Sequence, residues 1–266
     1  VSRLYMSNKC LLIADHKSVD KQIHIFNKND FSYLTSIGNF GEGPEEITVM
    51  GCLAIDEAHH QLYVSDHAKQ KIFSYDMDSV MVDSLYKPQV KTAMNETLFP
   101  SEYQYINDTL SIAVLIKPTS TSTFNQFLGR WNMNTGEMIP MKYTHPDIQK
   151  KRITFAASEK AGIYVECYTR HDLMTICSLD GELLYNIYGP DWDGGNGNKL
   201  QSFGTVMIGN DKIFVSYCGE DYARDSFPTK ILVFDLEGNY LKTLETGYKI
   251  SDCCYDSFNN RIILSL

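Results

Sequence analysis

Six short segments with alternating apolar residues recur along this chain at intervals of about 50 residues. Their second and fourth places always hold Leu, Ile or Val, which is the pattern of a β-strand that keeps one face in a core. Strand-like runs and polar turns flank these segments, so each repeat predicts four antiparallel strands. The six segments are CLLIAD (10–15), QLYVSD (61–66), TLSIAV (109–114), GIYVEC (162–167), KIFVSY (212–217) and RIILSL (261–266).

Four strands in a repeat of about 50 residues leave no room for a crossover helix and are typical of a β-propeller blade. We therefore predict an all-β chain, a single six-bladed β-propeller domain of four-stranded antiparallel blades. The last blade supplies only two strands before Leu266, so we expect it to be incomplete in this chain, and a natural protein that continues further is the favoured explanation. The predicted blades cover approximately residues 1–40, 41–86, 98–142, 152–189, 202–247 and 248–266.

The net charge and the cysteine pattern argue against several classes of function. The chain has 24 Lys and Arg against 33 Asp and Glu, and this net charge of -9 argues against a nucleic-acid partner. No apolar run reaches the roughly 18 residues of a transmembrane helix. The seven cysteines are scattered without C-x-x-C spacing, so we expect buried thiols rather than a disulfide framework or a zinc site.

The run IGNFGEGPEEI (37–47) contains the Gly-rich pattern that can bind phosphate, but a strand-like segment follows it and not a helix. We predict a connection between the first two blades, with glycines where a positive φ is useful. The stretch GNFGEGPEEI with the following CLAIDEAHHQLYVSDHAKQKIFSYD resembles an NHL repeat. The whole-chain pattern resembles the TolB-like six-bladed propeller family, whose members are often exported, so the resemblance implies a periplasmic or cell-surface location.

Long connections are predicted to emerge on one face of the propeller, where we place the ligand-binding surface. The starts of the first strands near this face carry Arg3, Glu102, Arg152 and Asp252. Arg152 could bind a carboxylate or phosphate of a ligand, or the four charges could neutralise one another. The long connections are residues 86–100, 115–126, 142–152, 189–202 and 218–229.

Glu166 is the only charged residue at the fifth place of the six segments, which otherwise holds Ala or Ser. We predict a shifted pKa or an ion pair there, with Arg170 or His171 as partner, or a displaced strand that lets Glu166 reach solvent. Trp192, flanked by acids, is predicted to be an exposed aromatic contact for a ligand. Tyr222, in the connection 218–229, belongs to the same candidate ligand-binding set.

Metal and catalytic motifs are weak. Asp191 and Asp193 in DWDGGNGN are candidate calcium ligands, although the run lacks the Gly and Glu positions of an EF-hand. His16 and His67 follow equivalent strands and could share a metal or a ligand, but a third metal ligand is not evident. No serine-hydrolase elbow or zinc-protease motif is present, so we expect no catalytic residues and no cofactor.

The sequence favours a non-enzymatic binding propeller that recognises a protein, peptide or glycan. The alternative is a calcium-dependent hydrolase or lactonase similar to the gluconolactonase-like propellers, in which acids and amides hold the metal near the axis. Arg3 and Arg152 count against that alternative, because a cation near the metal opposes its binding.

Overall fold

The structure, a computed structural model, describes residues 2–197, 199–224 and 226–266. The chain divides into two compact units, Val1–Pro140 (unit 1) and Met141–Leu266 (unit 2). Each unit contains three consecutive sequence repeats, and in both units the repeats form antiparallel sheets of strands that are neighbours in sequence. That the whole chain is one domain stays a prediction.

Unit 1 consists of three four-stranded sheets, and a short helix, α1 (Met77–Val80), connects two strands of the second sheet. The first sheet contains β1 (Ser2–Met6), β2 (Cys10–Asp15), β3 (Lys21–Asn27) and β4 (Tyr33–Asn39). The second contains β5 (Met50–Asp56), β6 (Gln61–Asp66), β7 (Lys71–Asp76) and β8 (Gln89–Ala93). The third contains β9 (Phe99–Asn107), β10 (Leu110–Pro118), β11 (Phe124–Trp131) and β12 (Met138–Pro140).

Unit 2 consists of two four-stranded sheets and a final two-stranded sheet. The first sheet contains β13 (Ile153–Ser158), β14 (Ile163–Tyr168), β15 (Leu173–Ser178) and β16 (Leu183–Tyr188). The second contains β17 (Leu200–Gly209), β18 (Lys212–Asp221), β19 (Lys230–Asp235) and β20 (Tyr240–Glu245). The third contains β21 (Asp252–Asp256) and β22 (Arg261–Ser265). The predicted all-β propeller is thus confirmed, with five four-stranded blades and a two-stranded sixth.

The strand register corrects the sequence alignment at Glu166. β14 begins at Ile163, one residue later than its hexamer, and a shift of one residue exchanges the two faces of a strand. Cys167 is therefore the structural counterpart of Ala14, and each packs in the apolar cluster shared with the next sheet of its unit. Glu166 occupies instead the place that Val215 has in β18, on the other face of its strand.

Strands extend into four of the predicted long connections, and two of these connections change most. Residues 86–100 contain the edge strand β8, so the second blade extends to Ala93 and not to residue 86. This edge strand does not show a clear apolar alternation in the sequence, because it does not bury one face: its apolar residue Val90 is 53% exposed. Residues 115–126 are mostly the ends of β10 and β11, which pair as far as Pro118 and Phe124.

The Gly-rich connection between the first two blades is braced by hydrogen bonds to its backbone. Gly38 has a φ of +75°, as the positive-φ prediction requires, and β5 follows the connection directly. The ammonium group of Lys69 donates to the carbonyl oxygen of Gly43 at 2.6 Å. The carboxylate of Asp66 accepts from the backbone N–H of Thr48 at 2.8 Å. The run is therefore a strand-to-strand connection.

All seven cysteines belong to the described residues, and each is a free, buried thiol, as the sequence predicts. Burial raises the pKa of the Cys52 thiol to about 11 and that of Cys254 to about 12. The thiols are therefore protonated, apolar parts of the core.

Replacement of Asp66 tests the bracing of the Gly-rich connection. Asp66 is fully buried, and its carboxylate accepts from four backbone N–H groups, those of Thr48, Val49, Ala68 and Lys69. We expect Asp66→Ala to lower the free energy of unfolding by about 2–4 kcal/mol, because the buried donors lose a charged acceptor. Urea unfolding would measure this loss.

The matched control is Asp15→Ala at the equivalent place of the first blade. The carboxylate of Asp15 accepts from one backbone N–H, that of Lys17, so we expect a loss of about 1 kcal/mol or less. Equal losses in the two variants would contradict the bracing role of Asp66.

Candidate functional site

The structure pairs two of the predicted charges in unit 1. The guanidinium of Arg3 donates to both carboxylate oxygens of Glu102, with N–O distances of 2.8 and 3.2 Å. The same guanidinium lies 5.5 Å from the ring centroid of Tyr5. This pairing agrees with the alternative in which the charges neutralise one another, and a ligand-binding role for Arg3 and Glu102 stays a prediction.

The other two predicted charges lie in unit 2. Arg152 donates through its Nη1 to the backbone oxygen of Lys151 at 2.7 Å. Asp252 accepts through its Oδ1 from the hydroxyl of Thr205 at 2.8 Å. Each of these side chains is thus oriented by a neighbour in its own unit, and their predicted role in ligand binding stays open to experiment.

Glu166 forms the expected ion pair, but with a different partner. Its side chain is 1% exposed, so it does not reach solvent. Its Oε1 binds the ammonium group of buried Lys151, and its Oε2 accepts from the hydroxyl of Tyr168 at 3.1 Å. The prediction of Arg170 or His171 as partner was wrong, because the loop before β13 brings Lys151 under β14. The pair stabilises its environment chiefly by leaving neither buried charge unpaired.

Buried Asp172 positions the connection that carries Trp192. Its carboxylate accepts from the backbone N–H of Asp191 at 2.9 Å and from the hydroxyl of Tyr217 at 3.2 Å. Burial raises the pKa of this carboxyl, and the two donors partly oppose the rise. A Cβ on Gly189 would meet this carboxylate at 2.0 Å, so a larger residue here would displace the Asp172 side chain.

Trp192 is half-buried in a cluster of rings. Its ring centroid lies 5.0 Å from that of Tyr188, 5.4 Å from that of His145 and 5.9 Å from that of His171. Nδ1 of His145 accepts from the backbone N–H of Asp147 at 3.2 Å, so its Nε2 carries the proton and donates to the hydroxyl of Tyr188 at 3.0 Å. The predicted exposed contact is therefore only partly exposed, and its orientation is fixed by its neighbours.

His171 is 6% exposed, and its Nδ1 has no hydrogen-bond partner among the described residues. The nearest carboxylate oxygen, Oδ1 of Asp193, lies 3.9 Å away, which is beyond hydrogen-bonding distance. Burial lowers the pKa of His171, and Asp193 partly opposes the change. A Cβ on Gly197 would come within 1.9 Å of the imidazole, so the loop packs tightly over this ring.

Arg170 and Tyr222 form a second, more exposed part of the site. The guanidinium carbon of Arg170 lies 3.1 Å from the ring centroid of Tyr222, a cation–π contact. Tyr222 is 49% exposed, and its backbone N–H donates to the carbonyl oxygen of Lys199 at 2.7 Å. We call the set Arg170, His171, Tyr188, Trp192 and Tyr222 the Trp192 surface.

The two candidate calcium ligands take part in hydrogen bonds that hold their loop, Asp193 through its side chain and Asp191 through its backbone N–H. Asp193 accepts through its Oδ2 from the backbone N–H of Gly197 at 2.6 Å, and its carbonyl oxygen accepts from the amide of Asn196. The backbone N–H of Asp191 is bound by Asp172. Within the described ranges, no group of three or more His, Cys, Asp or Glu residues is placed to hold a metal ion.

Sequence reasoning missed Lys151, His145 and Asp172. A lysine in a polar run and a histidine in a loop carry no periodic signal, so the first two could not be distinguished from surface residues. Asp172 directly follows His171 in the turn between β14 and β15, where an acid is common, so its residue type and position did not distinguish it either.

Comparison with known proteins shows the fold. Residues 1–130 match the profile of DUF5128, a family described as a six-bladed β-propeller. No curated protein matches the chain.

Three solved structures illustrate the likeness. The chain is 10% identical to a protein in the nidogen/laminin complex, with a TM-score of 0.58 over 98% of this chain and 81% of the other. A Bacteroides vulgatus member of the DUF4221 family gives 10% identity and a TM-score of 0.59 over 92% and 81%. A Bacteroides fragilis protein thought to be exported gives 14% identity and a TM-score of 0.56 over 93% and 71%.

Acidification should destabilise the protein through its buried imidazoles. The folded-state pKa of His171 is lowered, so as the pH falls below about 6.5 the unfolded chain takes up a proton first and stability decreases. His145, which faces the same indole, has its pKa lowered by burial in the same way. We expect His171→Gln to lose less unfolding free energy between pH 7.5 and 5.5 than the wild type does.

Urea unfolding at both pH values would measure these losses. The matched control is His24→Gln in unit 1, where Nδ1 of His24 lies 2.8 Å from the hydroxyl of Ser36. An acid-induced loss in His171→Gln as large as in the wild type would contradict the assignment to His171.

Proposed function

We propose that this chain is a non-enzymatic binding module that recognises a protein, peptide or glycan with the Trp192 surface. The observation that carries the proposal is the bracing of Trp192. The buried carboxylate of Asp172 fixes the start of its loop, and three rings contact the indole. A rigid aromatic side chain binds a partner with little loss of conformational entropy, which is why such residues act as anchors at interfaces.

The chemistry around the indole suits an amphipathic partner. Tyr188 and Tyr222 are 50% and 49% exposed, so each presents ring surface and a hydroxyl to solvent. Arg170 stacks on Tyr222 and adds a cation with several donors, and exposed Asp191 adds a carboxylate beside Trp192. Aromatic faces combined with a few charged groups can bind the apolar faces and hydroxyls of a glycan, or the side chains and backbone of a peptide.

The comparisons with solved structures support a binding function. The nidogen structure is a complex with laminin, so a propeller of similar fold is known with a protein partner. The Bacteroides fragilis neighbour is thought to be exported, and we extend an exported, periplasmic or cell-surface location to this chain on that likeness. No specific observation among the described residues favours the calcium-dependent hydrolase.

Selection from a peptide display library and binding to a glycan array would test the proposal. We expect enriched peptides or glycans to bind Trp192→Ala at least tenfold more weakly than the wild type, because an anchor residue contributes about 2 kcal/mol or more. The matched control is Phe258→Ala, which removes an aromatic that is 84% exposed in the turn between β21 and β22. Circular dichroism would confirm that both variants fold.

Unchanged binding by Trp192→Ala would refute the site, and failure to enrich any peptide or glycan would refute the proposed ligand classes. Thermal melts with calcium and with a chelator separate the hydrolase alternative. A ligand at 100 times its dissociation constant stabilises the folded state by about 2.7 kcal/mol, so a calcium-dependent shift of that size would favour the hydrolase instead.

A further inference from the structure

A pocket of about 480 Å³ opens between the first and second sheets of unit 1. It lies where β1 turns into β2 and β5 turns into β6, at the strand ends opposite to the Gly-rich connection. Its volume falls within the range of about 300–1,000 Å³ that is common for small-molecule sites. The apolar lining is formed by Leu12, Leu34, Ile55, Leu62, Met77 and Met81.

One wall of the pocket is an elaboration specific to the second blade. In the other four-stranded blades of the described chain, four to six residues join the third strand to the fourth, whereas residues 77–88 make this connection in the second blade. The connection contains α1, which is capped by Asp76 and anchored by Val80 at 2% exposure. This arrangement places Met77 and Met81 over the pocket. Flexible methionine side chains adapt to ligands of varied shape.

The charged side chains that line the pocket are predominantly acidic. Buried Asp56 is already engaged, since its carboxylate binds the ring of His59 and the hydroxyl of Tyr63, each at 2.8 Å. Two exposed carboxylates, Glu57 and Asp78, remain at the rim. Glu57 accepts from the backbone N–H of Asn8 at 2.6 Å, and Asp78 lies 2.9 Å from the imidazole of His60.

These carboxylates face few cations. Lys9 and His60 are the only basic side chains that line the pocket within the described residues, and His60 is already held by Asp78. Each of these carboxylates could accept a charge-assisted hydrogen bond from the ammonium group of a ligand. An anionic ligand would be repelled by them. The rim therefore complements a positive charge above an apolar floor.

We propose that this pocket binds a small amphiphilic cation, a molecule with an apolar body and one ammonium group. The apolar body lies against Leu34, Ile55 and the two methionines, and the ammonium group binds Glu57 and Asp78. The site is built entirely from unit 1, so it is independent of the Trp192 surface.

Three probes of one shape separate the contributions of charge and apolar contact: 4-phenylbutylamine, 4-phenylbutanol and 4-phenylbutyrate. Binding would be measured by calorimetry and by chemical-shift changes of the methionine methyl groups. We expect the amine to bind about tenfold more tightly than the alcohol, and the carboxylate to bind more weakly than both. Equal affinities, or preference for the alcohol or the carboxylate, would overturn the assignment of a cation, and no saturation by any probe would overturn the site.

Two variants locate the binding on the protein. The double variant Glu57→Gln, Asp78→Asn should reduce the preference for the amine over the alcohol from about tenfold to about threefold or less, while alcohol binding stays the same. Met81→Trp should fill the pocket and abolish binding of both. Trp192→Ala is the control that should bind all three probes as the wild type does, so a failure of the Trp192 surface and a failure of this pocket are distinguishable. Unchanged amine binding in the Glu57→Gln, Asp78→Asn double variant, or in Met81→Trp, would refute the proposal.

Discussion

Burial of both faces of each sheet's inner strands is the constraint on which this architecture depends. In unit 1, Leu12 and Ile25 of the first sheet pack with Leu53 and Val64 of the second in one apolar cluster. In unit 2 a corresponding cluster joins β14 and β15 to β17 and β18. A single four-stranded sheet could not exclude water from both faces, so each repeat needs a neighbour. The loops of the Trp192 surface are held by strands that this packing fixes in place.

The hydrophobic period identified the blades because strand formation and packing leave a regular trace in the sequence. Six hexamers located the starts of all six second strands within one residue. The one-residue difference changed the face of the strand to which Glu166 was assigned. Alternation alone does not show where a turn ends and the next strand begins. The edge strand β8 was missed for a related reason, because an edge strand with an exposed valine need not alternate clearly.

The candidate site was less predictable because its contacts join segments that are distant in sequence. Trp192, Arg170 and Tyr222 were identified from residue type and loop position, and the structure shows how each is oriented. The buried lysine beneath Glu166 and the imidazole of His145 depend on the path of residues 142–152, which no local pattern determines. Chemistry-bearing residues could thus be identified from sequence, whereas their partners required the fold.

The buried thiols have a consequence for the exported location proposed above. Seven unpaired cysteines would be vulnerable to random cross-linking in an oxidising compartment, yet each is buried in the folded chain. Because thiolates and not thiols attack disulfides, the raised pKa of Cys52, Cys177 and Cys254 makes these sulfurs slow to react even where a reagent reaches them. Folding speed after translocation, rather than the redox state of the surroundings, would then determine how much of the protein escapes scrambling.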